Sequence, residues 1–127
     1  MNRTFPSVVY VALVLVAASP VVLALPPFDK EWKEKYIETV PPPPFKGAAE
    51  MKKCNVCHEG AKKKDKNEYG KAVGKHINKK AYDALKGNDA AQKKYIQDGI
   101  DKAELEKNKD GKSFGDIMKK DGKLPGG

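Results

Sequence analysis

Once its first 24 residues are set aside, this chain has few large apolar side chains with which to build a core. Residues 8–24 form an almost unbroken apolar stretch behind a short N-terminus whose only side-chain charge is Arg3. A basic start, an apolar stretch and small residues around Val22-Leu23-Ala24 read as a secretory signal peptide over residues 1–24, cleaved after Ala24. The charge-free run Ser7–Ala18 is shorter than the roughly 20 residues that span a bilayer, so export to the periplasm is expected rather than anchoring. The remaining 103 residues carry 24 Lys, no Arg and 17 acidic residues, a formal charge of +7. A domain of this size buries proportionately little surface and often relies on a disulfide, a metal or a cofactor. Two cysteines exclude a disulfide-rich scaffold, and the length excludes an enzyme with an elaborate substrate domain.

The pattern along the chain predicts a mainly α fold. Residues 25–45 read as an N-terminal extension. In it, a short helix from Asp29 to Val40 places Phe28, Trp32 and Tyr36 four residues apart, and Pro41–Pro44 form a polyproline spacer. A second helix is expected from Phe45 to His58, with Met51 in the core, followed by a solvated Lys-rich loop. A helix from Glu68 to Lys79 places Tyr69, Ala72, Val73, His76 and Ile77 on one face. Another is expected from Asp89 to Lys107, with Tyr95, Ile96, Ile100 and Ala103 as its stripe and Gly99 interrupting it. A turn at Asn108–Ser113 precedes a short helix from Phe114 to Lys119. No segment alternates as a strand does.

Cys54-Asn55-Val56-Cys57-His58 is a Cys-x-x-Cys-His motif, the signature of covalent c-type haem attachment. Cysteines three apart on a helical turn can both form thioethers to the vinyl groups of one porphyrin. The adjacent His58 is then placed to ligate the iron. A tethered haem would supply the core that the chain lacks. Three other uses of these residues compete with this reading. A thioredoxin-like redox pair needs a βαβ context, which is absent. A structural zinc site would consume Cys54, Cys57, His58 and His76. A plain disulfide is the simplest alternative in an exported chain.

On Cys54–His58 the chain resembles the small monohaem c-type cytochromes of bacterial periplasms, over residues 46–127 at most. Asn67-Glu68-Tyr69-Gly70-Lys71-Ala72 and the ending Phe114-Gly115 to Gly122-Lys123-Leu124-Pro125-Gly126 also look like small planctomycete cytochromes. That group includes the heterodimeric gas-binding cytochromes of anammox bacteria. The resemblance implies a small cytochrome c-like helical domain wrapped around one covalent haem c, with electron transfer rather than catalysis as its role. The gas-binding members are associated with a distal cysteine, and this chain has no third cysteine to carry that feature over.

The sixth iron ligand separates electron transfer from the binding or sensing of gases such as NO and CO. His76 is the expected distal ligand, with Tyr69 and Val73 packing on the porphyrin. Met118, sixty residues after His58, is the alternative, and a five-coordinate or water-ligated iron is the third. Met51 falls on the proximal side. The lysines are mostly solvated faces. Around an exposed haem edge they would steer acidic redox partners, and a homodimer or heterodimer is compatible with such a surface. Export, the missing arginines and the lack of interleaved aromatics argue against nucleic acid. Asn108-Lys109-Asp110-Gly111 lacks the ligand spacing of a calcium loop.

Overall fold

A computed structural model describes residues 25–39 and 41–126; the expected leader lies outside them. The fold is mainly helical: α1 Pro26–Tyr36, α2 Lys46–Lys52, α3 Glu68–His76, α4 Lys79–Ala84, α5 Asp89–Leu105 and α6 Phe114–Lys119. A 3-10 turn, Lys53–Val56, follows α2. Two two-residue strands, β1 His58–Glu59 and β2 Asp65–Lys66, pair antiparallel. Among the described residues no helix is long and apolar enough to cross a membrane.

Several boundaries differ from expectation for identifiable reasons. Helix α1 begins three residues before Asp29 because Pro26 and Pro27 sit in its first turn, where no backbone N–H is required. Asp29 then lies inside the helix, paired to Lys33 at 2.6 Å. The helix expected over 45–58 stops at Lys52, since Lys53 takes φ 47° and redirects the chain into the 3-10 turn. Met51 is left 81% exposed on the surface, not in the core. The Lys-rich loop folds back as a hairpin instead of staying irregular, with Gly60 and Lys63 at positive φ. Helix α3 ends at His76, and Asn78 caps a separate α4 by accepting from the Ala81 N–H.

Helix α5 is the spine of the structure, packed against α1, α3 and α6. It runs unbroken through Gly99. A β-carbon there would lie 2.3 Å from Ile77 Cγ1, so glycine is what lets α5 and the end of α3 meet. Tyr69, Ile96, Ile100 and Phe114 form the fully buried centre. The segment 25–45, read as an extension, is folded into this core: Trp32, Tyr36, Ile37 and Phe45 are all buried in it. The four-residue aromatic repeat of α1 is too apolar to stand in water, and α5 offers it a partner.

Polar groups fix α1 on α5 in register. Gln97 Nε2 donates to Glu31 Oε2 at 2.9 Å, Lys35 donates to Asp101, and Tyr36 Oη donates to Glu104 Oε1. Glu104 is buried, and burial by itself would raise its pKa. Hydrogen bonds from Lys119 (2.6 Å), Tyr36 and Lys35 outweigh burial and hold its carboxyl below the usual value. A carboxylate held low in the folded state stabilises the protein above its unfolded pKa and loses that contribution as pH falls.

Thermal stability is expected to decline as pH drops below about 4.5, the ordinary carboxylate value. Glu104→Gln lowers stability at neutral pH and makes the acid decline shallower, which thermal melts across pH would register. Gly99→Ala gains about 1 kcal/mol of helix propensity, but overpacking against Ile77 costs about 1–3 kcal/mol, so the melting temperature falls. Adding Ile77→Val to Gly99→Ala recovers part of the loss.

Candidate functional site

The Cys54–His58 segment opens onto an apolar cleft built from three sources. The start of α1 contributes Leu25, Phe28, Asp29 and Trp32. The turn after α2 contributes Lys53, Cys54, Val56, Cys57 and His58, joined by Lys66 from β2. Helix α3 contributes Gly70, Val73, Gly74 and Ile77. The spacing of those four α3 residues, i, i+3, i+4 and i+7, puts them on one face. The cleft encloses about 120 Å³ and opens to solvent. This is below the roughly 300–1,000 Å³ of pockets that bury a whole ligand, so a larger group held here stays exposed at the mouth.

The hairpin positions these parts. His58 pairs with Lys66 and Glu59 with Asp65, so the chain doubles back and lays α3 on the motif's own backbone. The approach at Gly70 is close: a β-carbon there would lie 2.0 Å from the Cys57 carbonyl oxygen. Asn67 starts α3. Its Oδ1 accepts from the Gly70 N–H at 2.8 Å, its Nδ2 donates to the Val56 carbonyl at 2.8 Å, and its own N–H donates to the Cys57 carbonyl at 3.0 Å.

Cys54 is exposed and Cys57 is half-buried; neither is in a disulfide. Burial pushes the Cys57 thiol up to about 12, although the Lys66 ammonium pulls the other way. That is the reverse of the depressed thiol pKa typical of redox cysteines. His58 Nδ1 is buried without a hydrogen-bond partner among the described residues. A buried ring nitrogen left unpaired is costly unless a bound group engages the ring.

Of the residues expected at a haem, Cys54, Cys57, His58 and Val73 share the cleft and Tyr69, His76 and Met118 do not line it. Tyr69 is fully buried behind the cleft. Its hydroxyl accepts from Trp32 Nε1 at 2.9 Å, and its ring meets Phe114 edge-on at 5.3 Å. Its role is to back Trp32, which does line the cleft. His76 lies about a quarter turn round α3 from the cleft face. Its Nε2 is 3.1 Å from Glu106 Oε1, beside Lys102 and Lys107. Met118 is 3% exposed within the core. The apolar stripe of α3 is wider than one face, because 69 and 72 turn toward the core, 76 turns toward Glu106, and 70, 73, 74 and 77 line the cleft. The same separation breaks up the zinc set: among the described residues no cluster of three or more His, Cys, Asp or Glu could hold a metal ion.

Sequence reasoning missed Leu25, Phe28 and Trp32 as cleft residues, although their repeat was visible. It also missed Gly70 and Gly74, whose Gly-x-x-x-Gly spacing marks a low, flat helix face. No family model matches the chain, and neither the curated proteins nor the solved structures contain a match to it.

Proposed function

We propose that the chain is an exported c-type haem protein, carrying one haem through thioethers to Cys54 and Cys57 with His58 as the iron ligand. The observation that carries this reading is the shared cleft. Two thiols and an imidazole with an unpaired buried nitrogen face one apolar, half-open space. The donor set fits: His nitrogen is a usual axial ligand, and two thiols at this spacing match covalent attachment. When bound, the haem supplies a one-electron iron couple. Phe28, Trp32, Val73 and Ile77 would give it an apolar wall, while Gly70 and Gly74 let α3 lie close against Cys57 and Lys66. His58, the first residue of β1, presents its ring from a short strand paired with β2. Because the cleft is open, the edge of the group stays accessible, which suits electron transfer to a partner protein. Lys53 and Lys66 at the cleft and Lys62–Lys64 on the hairpin loop favour acidic partners, with association that weakens as salt rises.

A second reading rests on a specific observation. Neither His76 nor Met118 lines the cleft, so His58 is its one imidazole or thioether donor. A sixth position left to water or an exogenous ligand would make the protein a gas-binding or sensing subunit rather than a carrier.

Expression with a cytochrome c maturation system should give a haem-staining band on a denaturing gel. Cys54→Ala with Cys57→Ala should abolish it, and a band that persists, or no band from the unaltered chain, would overturn the haem reading. Carbon monoxide added to the reduced protein separates the two roles. A prompt Soret shift supports the open site and no shift supports a six-coordinate carrier. His76→Ala should leave the reduced spectrum as it is, since its ring is engaged with Glu106.

A further inference from the structure

We infer that Asn67 is a positioning residue for the haem-attachment segment, clamped between that segment and the C-terminal tail; this rests on the haem reading above. Asn67 is 4% exposed, and its three hydrogen bonds serve two different purposes. The bond from the Gly70 N–H to its Oδ1 is a helix cap, worth having on any helix. The other two, from Nδ2 to the Val56 carbonyl and from its N–H to the Cys57 carbonyl, reach out of the helix to the last two peptide units before His58. Those carbonyls sit between and on the two cysteines. The side chain therefore ties the motif's backbone to the helix that lines the cleft.

The tail closes the other side of this contact. Pro125 is buried, and a β-carbon on Gly126 would lie 2.0 Å from Asn67 Nδ2 and 2.8 Å from the Val56 carbonyl oxygen. Glycine is the residue that can pass there. Its backbone covers the Asn67–Val56 bond and keeps water from competing for it. A hydrogen bond protected in this way holds its donor and acceptor more rigidly than an exposed one. The consequence falls on His58, one peptide unit further on, whose ring direction follows the backbone it grows from. Second-sphere groups of this kind orient a ligand without touching the metal.

Capping and clamping can be separated. Asn67→Ser keeps an oxygen to accept from Gly70 but loses the donor to Val56, while Gly126→Ala keeps the asparagine and crowds its amide from the tail side. Both variants, haem-loaded, should melt within a few degrees of the unaltered protein. Both should also show a shifted midpoint potential and altered ferric EPR signals, and faster hydrogen exchange across residues 54–58. Asn67→Ala should lower the melting temperature as well. Unchanged exchange across 54–58 in both variants would overturn the clamp, whether or not haem is attached. Faster exchange with an unaltered potential and EPR would reduce Asn67 to a structural residue. Failure of the unaltered chain to attach haem would instead count against the haem reading, with the exchange measurement still deciding the clamp.

Discussion

The cleft exists because a helix can lie directly on the backbone of Cys54–His58, and that contact is made by hydrogen atoms where side chains would normally be. Gly70 has no β-carbon to collide with the Cys57 carbonyl, and the two-residue strands turn the chain tightly enough to bring α3 there. With α3 in place, Val73 and Ile77 follow as one wall, and Tyr69, on the adjoining face, reaches back to support Trp32 in the other. Move α3 outward by the width of a methyl group and the two walls no longer belong to one space.

A small domain has little apolar area to spare, and this one supplements it with charge. Acidic side chains of α1 and α5 face lysines and polar groups of the opposite helix, including the half-screened Lys93–Glu34 pair at 3.1 Å. Exposed pairs of this kind each contribute little, typically under about 1 kcal/mol. Glu104 differs because it is buried, takes bonds from three donors on two other elements, and would be costly to leave unpaired. Among the described residues, Lys53, Lys62, Lys63, Lys64 and Lys66, near the attachment segment, are in no such ion pair. The charge of the chain is thus used internally on the α1–α5 face and left available beside the attachment segment.

Much of this was legible from residue order alone. The helical class, the three long stripes and the short last helix followed from periodicity, and the Cys-x-x-Cys-His spacing at 54–58 marked the segment that opens onto the cleft. What could not be read was which side of α3 would face what. Tyr69, Val73 and His76 are equally consistent with one broad apolar stripe, and only the partner surfaces decide: the core takes Tyr69 and the cleft takes Val73, while Glu106 engages His76. The extension was misjudged for a related reason. Proline after α1 suggested separation, but Trp32 finds its partner in Tyr69, 37 residues on, and Tyr36 in Glu104, 68 residues on, distances that local pattern does not register. Gly99 gave a true signal with an ambiguous meaning, since a break and a close approach call for the same residue.

The docking of α1 on α5 also orders events in time. The bonds that hold it join residues 66 and 68 positions apart, Glu31 to Gln97 and Tyr36 to Glu104. During synthesis the cysteines emerge some forty residues before Gln97 does. Until α5 has followed, α1 lacks its bonds to Gln97 and Glu104, and contacts of such long sequence separation form late. The newborn chain therefore passes through a stage in which both thiols are present and the α1 wall of the cleft is not yet fixed to α5.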